Sequence, residues 1–265
     1  MLNETSGASS APLAPDDVWA IIPTLNERET LPRVVEQTLP YVARILIVDG
    51  ASTDGTREWV EEQIAKGVSL QLEVVTVRGK GRALRRALKL VPVRWTVMLD
   101  ADGSHVPSDI PRFLEPLRQG EADMVVGSRW TGGSDELHGD MNMWLRRMGS
   151  QVLTRLVNLR WGADLSDIQN GYRALSTHIG RRIGLASPDF NIEQEMVMKF
   201  LAGGYRVTNV PSHEYARQGG VAKLDLGQVW FRFGVVVLRH LFGLSRPKLR
   251  RRPRRNRAKR RSETI

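Results

Sequence analysis

From position 18 onward, short apolar runs alternate with longer stretches in which apolar residues recur every three or four positions. Runs at 18–22, 44–48, 70–77, 95–99 and 124–127 predict β-strands, and the periodic stretches 29–39, 56–66, 80–90 and 108–118 between them predict amphipathic helices. Strand and helix in alternation imply right-handed crossovers and a mostly parallel sheet flanked by helices, an α/β fold. No internal repeat is visible. After Gly127 the pattern loosens. The spacing of Trp144, Leu145, Met148 and Val152 predicts a helix over 141–159, with another at 191–201 and a further strand at 206–210. The apolar face of 141–159 suits a core or a cover over a groove.

Segment 226–244 is apolar on much of its surface yet carries Arg232, Arg239 and His240. Its longest unbroken apolar stretch falls far short of the roughly 20 residues that span a bilayer, so it reads as an amphipathic helix (225–245) that either packs on the body or lies on a membrane surface. Residues 1–17 are rich in Ser, Ala and Pro and lack an apolar core of signal-peptide length, so a disordered leader is expected there. The 265 residues suffice for one full core. With no cysteine, disulfides and thiolate metal sites are ruled out.

The formal charge of +10 belongs to one end of the chain. Eleven of the 39 Lys and Arg residues fall between positions 246 and 261, which leaves 28 basic residues against 28 acidic ones elsewhere once Glu263 is set aside. A neutral body argues against a nucleic-acid-binding domain, which would carry its own basic face. It leaves a basic tail at 246–265 to be explained.

Candidate chemistry clusters where strands end. Asp100 and Asp102 follow the apolar run 95–99 directly, Asp49 follows 44–48, and Asn26 and Glu27 follow 18–22. In open α/β sheets ligands bind at the carboxyl ends of strands. An acid pair there is costly without a cation, and hard oxygen donors suit Mg2+ or Mn2+. Each motif also has a plain structural reading: Asp-x-Asp occurs in loops and caps, Asn26 or Glu27 could cap the next helix, and Asp54 with Thr56 fits turn and N-cap chemistry. Asp49 has no such role in the sequence. Gly79-Lys80-Gly81 stands at a strand-to-helix turn able to approach an anion, although neither the P-loop spacing nor a dinucleotide fingerprint is present.

In order along the chain stand Ile22-Pro-Thr-Leu-Asn-Glu27, Val48-Asp49, Ser52-Thr-Asp54-Gly55-Thr56, Gly79-Lys80-Gly81, Leu99-Asp100-Ala-Asp102 and Gly127-Ser-Arg129. Asp167-Ile-Gln-Asn-Gly171-Tyr-Arg173, Glu193-Gln-Glu195 and Arg217-Gln-Gly-Gly220-Val-Ala-Lys223 follow. With this set, residues 18–224 resemble family 2 glycosyltransferases of the GT-A fold, in the polyprenyl-phosphate (dolichol-phosphate) mannosyltransferase branch. The resemblance implies a nucleotide-sugar pocket formed by Pro23, Leu25, Glu27, Asp49, Val77, Lys80, Asp100, Ala101 and Asp102. It implies a Mg2+ or Mn2+ ion on Asp100 and Asp102, with Ser104 where the family often carries a Gln ligand. It also implies that Arg129 grips an acceptor phosphate, with Arg146 or Arg147 assisting, and that Arg217 and Lys223 close over the diphosphate. Gly50 stands where the family usually carries a second Asp, and Ala222 where it carries Ser.

A phosphate monoester is mostly a dianion near neutrality, so an inverting transfer to it needs no general base. Asp102 and the metal would then stabilise the leaving group while Arg129 holds the nucleophile. Asp167 is the candidate catalytic residue on the acceptor side, acting as a base if the acceptor is a hydroxyl, and His105 is structural. By resemblance the donor is GDP-mannose, with UDP-glucose next, and the acceptor is polyprenyl phosphate. The protein is then peripheral on the cytoplasmic face of a membrane, held there by 225–245 and the basic tail, with no nucleic-acid partner. The alternatives are a GT-A transferase with a soluble or glycan hydroxyl acceptor, and an inactive α/β body whose basic tail binds a membrane or nucleic acid.

Overall fold

The computed structural model describes residues 15–77, 79–135 and 141–217, with backbone alone for Pro15 and 141–147. The expected helix at 225–245 and the basic tail lie outside the described residues. Strands β1 (Val18–Thr24), β2 (Arg44–Asp49), β3 (Leu70–Val74), β4 (Trp95–Met98), β5 (Met124–Ser128), β6 (Arg173–Ser176) and β7 (Val207–Pro211) form one sheet, ordered β3-β2-β1-β4-β6-β5-β7. Pairing is parallel except for β6, which runs antiparallel to both β4 and β5. The chain winds outward from β1 to β3, then crosses back to place β4 on the other side of β1. That reversal is a topological switch point, and a crevice opens at the carboxyl ends of β1 and β4.

Helices α1 (Leu31–Thr38), α2 (Thr56–Ala65), α3 (Lys80–Leu90), α4 (Ile110–Arg118), α5 (Arg129–Gly132), α6 (Met141–Trp161), α7 (Thr177–Arg182) and α8 (Ile192–Ala202) complete the body. Because side chains alternate along a strand, the sheet has two cores. Ile21, Leu46, Val48 and Met98 pack with Leu84 and Leu88 of α3 and Met196 and Phe200 of α8 on one face. Ile22, Ile45, Ile47 and Val97 pack with Val34 of α1 and Phe113 and Leu114 of α4 on the other. Burial on both faces explains why these strands read as continuous apolar runs. Among the described residues no helix is long and apolar enough to cross a membrane.

Three expectations need correction. The strand expected over 70–77 ends at Val74, because its partner β2 ends at Asp49; after the Val75 N–H···Asp49 O bond the backbone has nothing left to pair with, and Val77 stands 57% exposed. Strand β6 was not foreseen. Its four residues have neither turn signals nor alternation, and it is a strand only because β4 and β5 leave a slot between them. The leader expected over 1–17 is too long: residues 15–17 form a 3-10 turn, and Arg118 Nη2 bonds Asp17 Oδ1 at 2.9 Å.

Candidate active site

The loop after β1 is built by its neighbour after β2. Asn26, at φ +56°, donates its backbone N–H to Ser52 Oγ at 2.9 Å and accepts from Thr53 N–H at Oδ1 at 2.8 Å. Glu27 N–H donates to Thr56 Oγ1 at 3.1 Å. Asp54 Oδ1 accepts from the amide and hydroxyl of Thr56 at the start of α2, the turn expected of it, while the N-cap itself is Gly55 and carries no side-chain bond. The two loops thus form one wall of the crevice.

The crevice is a cleft of about 220 Å³. Pro23, Leu25, Val75 and Val77 give it an apolar end, and Lys80, Asp100, Asp102 and Arg217 a charged end; Glu27, Gly50, Ala101, Asp189 and Phe190 also line it. An apolar end beside a charged end suits a ligand that carries both a ring and phosphates. The structure thus brings together eight of the nine expected nucleotide-pocket residues, and Arg217 with them. The exception is Asp49, which is fully buried and spends its carboxylate on Ser52 (N–H at 3.0 Å, Oγ at 2.5 Å) and Thr24 Oγ1 at 3.4 Å. Asp49 therefore braces the two loops rather than facing the cleft, and Gly50 stands at the lining instead.

At the charged end Lys80 Nζ lies 2.6 Å from Asp100 Oδ1 and 2.6 Å from Glu193 Oε1. Burial alone would push this ammonium down, but Asp100 and Glu193 outweigh it and hold Lys80 above its ordinary pKa. Burial would likewise raise Asp100, yet Lys80, with Arg217 adding to it, pulls its carboxyl down to about 2. Asp102 Oδ1 accepts from Ser104 N–H at 3.1 Å and Ser104 Oγ at 2.7 Å, while Arg217 Nε lies 3.3 Å from Oδ2. Ser104, expected to complete a metal's shell, thus turns its hydroxyl onto Asp102. His105 Nδ1 accepts the Asp100 N–H at 3.1 Å, and its ring stacks on Tyr172, which stacks on Phe113.

Among the described residues no group of three His, Cys, Asp or Glu side chains forms a complete metal cage. Two carboxylates at a cleft mouth do suit a hard divalent ion that takes its remaining ligands from a bound diphosphate. Cations already stand on both acids, Lys80 on Asp100 and Arg217 on Asp102, so the acid pair is built to be neutralised.

A second cluster lies at the end of β5. Arg129 grips the fully buried Asp167 with two prongs, Nε to Oδ2 at 2.7 Å and Nη2 to Oδ1 at 3.2 Å, and Nη1 lies 3.4 Å from Glu214 Oε2. Gln169 N–H also donates to Asp167 Oδ1, at 2.9 Å. Burial would lower the Arg129 pKa, but Asp167 and Glu214 outweigh it and raise it. Between the clusters Arg173, 1% exposed, donates to the carbonyls of Glu193 (2.7 Å) and Asn170. Arg146 and Arg147 lie on α6 with side chains outside the described residues, as is Lys223 altogether.

Sequence reasoning assigned no part to Thr24, Asp189, Phe190 or Glu193. Glu193 lies 113 residues from Lys80, and no local pattern announces such a contact. The acidic first turn of α8, already visible as Glu193-Gln-Glu195, was the one available signal.

This sheet order, with one antiparallel strand set into it and an acid pair at the switch point, is that of the GT-A fold. The chain belongs to glycosyl transferase family 2, whose family model matches residues 19–179. It is 36% identical over 208 residues to glycosyltransferase AglJ of Haloferax volcanii, covering 78% of this chain and 65% of that one, so it spans somewhat less than two thirds of that relative. It is 34% identical over 228 residues to an undecaprenyl-phosphate mannosyltransferase of Micrococcus luteus, covering 80% of this chain and 89% of that protein. Among solved structures it resembles glucosyl-3-phosphoglycerate synthase of Mycobacterium tuberculosis in complex with Mn2+, UDP and glucosyl-3-phosphoglycerate. There the TM-score is 0.65 at 21% identity, over 86% of this chain and 80% of that one, a likeness of fold.

Proposed function

We propose that this glycosyltransferase moves a hexose, mannose from GDP-mannose in the first instance, from a nucleotide-sugar to polyprenyl phosphate at a membrane surface, with inversion. The observation that carries the reading is the pairing of two separate charged clusters. One, Lys80–Asp100–Asp102–Arg217, lines the donor cleft and suits a leaving diphosphate once a divalent cation sits on its acids; in the other, Asp167 and Glu214 hold Arg129 in place, and Arg129 alone is the group offered to a second anion. The relatives named for undecaprenyl-phosphate and polyprenol mannose transfer, the latter from Mycolicibacterium smegmatis and 30% identical, favour a lipid phosphate as that anion. The Mn2+ and UDP of the glucosyl-3-phosphoglycerate synthase favour a divalent ion in the donor cleft.

In this reading the base of the nucleotide lies between Pro23, Leu25 and Val77, near Glu27, and Ala101 lets the backbone approach the sugar nucleotide. Asp100 and Asp102 would hold Mg2+ or Mn2+, which would supply positive charge to the leaving diphosphate. Lys80 and Arg217, with Lys223 from beyond the described residues, neutralise the same phosphates. Arg129 positions the acceptor phosphate, assisted by Arg146 or Arg147. A phosphate oxygen attacks the anomeric carbon, the bond from that carbon to the diphosphate oxygen breaks, and the nucleoside diphosphate departs with the electron pair. No proton must be removed from a dianionic nucleophile. Asp167 accordingly orients Arg129 rather than acting as a base, since both its oxygens already accept hydrogen bonds.

The segment 225–245 and the basic tail are the proposed membrane contact, on the cytoplasmic leaflet, where each basic residue adds about 1 kcal/mol. The test is an incubation of the purified protein with polyprenyl phosphate, Mg2+ or Mn2+, and a panel of nucleotide-sugars. A hexosyl-phosphoryl-polyprenyl product that vanishes on chelation supports the reading. Donor turnover with soluble hydroxyl acceptors but none with the lipid would move the protein to the alternative acceptor class.

A further inference from the structure

Lys80, Asp100 and Glu193 meet over Gly171. A Cβ built on Gly171 would lie 2.8 Å from Asp100 Oδ2, 3.1 Å from Lys80 Nζ and 3.2 Å from Glu193 Oε1. Gly171 is not among the glycines with positive φ, so its backbone does not demand glycine. The requirement is room: any side chain at 171 would push into the ion triad. Glu193 itself is delivered by a stapled loop. Glu195 accepts from the amides of Ala186 and Ser187, and Arg82 N–H donates to Pro188 O at 3.1 Å. At Gly81 a Cβ would fall 2.2 Å from Ser187 O, so α3 and this loop touch backbone to backbone.

We propose that Glu193 is the positioning residue for Lys80. It keeps the ammonium at the diphosphate end of the cleft when Asp100 gives its charge to a divalent cation. The inference rests on the reading of the cleft as a nucleoside diphosphate site. With two acids on one ammonium, Asp100 is released without stranding Lys80 in a low-dielectric pocket. Without Glu193, Lys80 and Asp100 form a closed pair that an incoming cation must first break. A residue that merely holds α8 on α3 would instead change stability and leave donor affinity in the folded protein as it was.

The test uses the full chain as wild type, Glu193→Gln, Gly171→Ala, Lys80→Met and the Lys80→Met/Glu193→Gln double variant. GDP and UDP are titrated at fixed Mn2+ by calorimetry, free Mn2+ is followed by electron paramagnetic resonance, and thermal midpoints are recorded alongside. Glu193→Gln is expected to weaken Mn2+-dependent nucleotide binding about tenfold, the loss of one charge-assisted hydrogen bond. It should also raise the Mn2+ concentration for half-saturation. Gly171→Ala moves both quantities the same way without altering charge, and Glu193→Gln adds nothing to Lys80→Met. If Glu193→Gln unfolds, Glu193→Asp takes its place with the same expectation. Wild-type binding with unchanged affinity in the single variants, or losses that simply add in the double, overturns the role of Glu193. Absence of wild-type binding to either nucleotide overturns the reading of the cleft and this inference with it.

Discussion

Replacing Asp167 by Asn keeps the shape of the acceptor-side cluster and removes its charge. Asp167 is fully buried, and its oxygens accept from Arg129 Nε at 2.7 Å, Arg129 Nη2 at 3.2 Å and Gln169 N–H at 2.9 Å. An amide retains one acceptor oxygen and turns an NH2 group toward donors, so at least one of these bonds is lost. Arg129 then keeps only Glu214, at 3.4 Å, as a charged partner among the described residues. Removing one partner of a buried ion pair costs about 3–5 kcal/mol, and the partial exposure of Arg129 places this case at the low end. At about 2–4 °C per kcal/mol for a body of this size, the thermal midpoint should fall by roughly 6–12 °C. Scanning calorimetry reads it directly. The Arg129→Met/Asp167→Leu double variant should recover part of the loss, because it removes both members of the close pair together, although Glu214 is left with Ser134 Oγ as its partner. A fall of less than about 2 °C, or a double variant no better than the single, would refute the view that Asp167 exists to balance Arg129.

Asp102→Ala should lower transfer by at least about 100-fold, measured as initial rate at saturating metal, since it removes a group that meets the leaving charge. In metal-free buffer, Asp100 should contribute to acid stability with a definite sign. Its folded pKa of about 2 lies below the unfolded carboxylate value, so its contribution is complete above about pH 4 and is lost as pH falls through about 2. Asp100→Asn should therefore flatten the acid-unfolding curve in that window. Gly81→Ala, whose Cβ would meet Ser187 O, should part α3 from the loop carrying Phe190 and raise the donor KM with acceptor KM unmoved. Deleting residues 246–265 should release the protein from anionic vesicles in a flotation assay while leaving its rate in detergent intact.

How much of this was legible beforehand follows from the range of the forces involved. The strands that form both cores announced themselves as apolar runs because both their faces are buried. Helix α3 was bounded to the residue, since its four core positions repeat at helical spacing and Gly79 precedes it. Strand β6 was illegible because nothing within its four residues favours a strand. The acids at the strand ends were found, but their duties were not. Asp49 and Asp102 look alike in sequence, yet one braces a loop and the other faces the cleft, a difference made by Ser52 and Thr24. Glu193 meets Lys80 across 113 residues of chain, through the packing of α8 on α3, so no window of sequence could show the contact.

In the proposed reaction sugar passes to a phosphate oxygen without a general base. This is tested most directly by offering the same nucleotide-sugar, in the same detergent and metal, either a polyprenyl phosphate or the corresponding polyprenol. Transfer to the phosphate is expected, at a rate that collapses in Arg129→Ala, and none to the alcohol. Comparable transfer to the alcohol would contradict the proposed reaction.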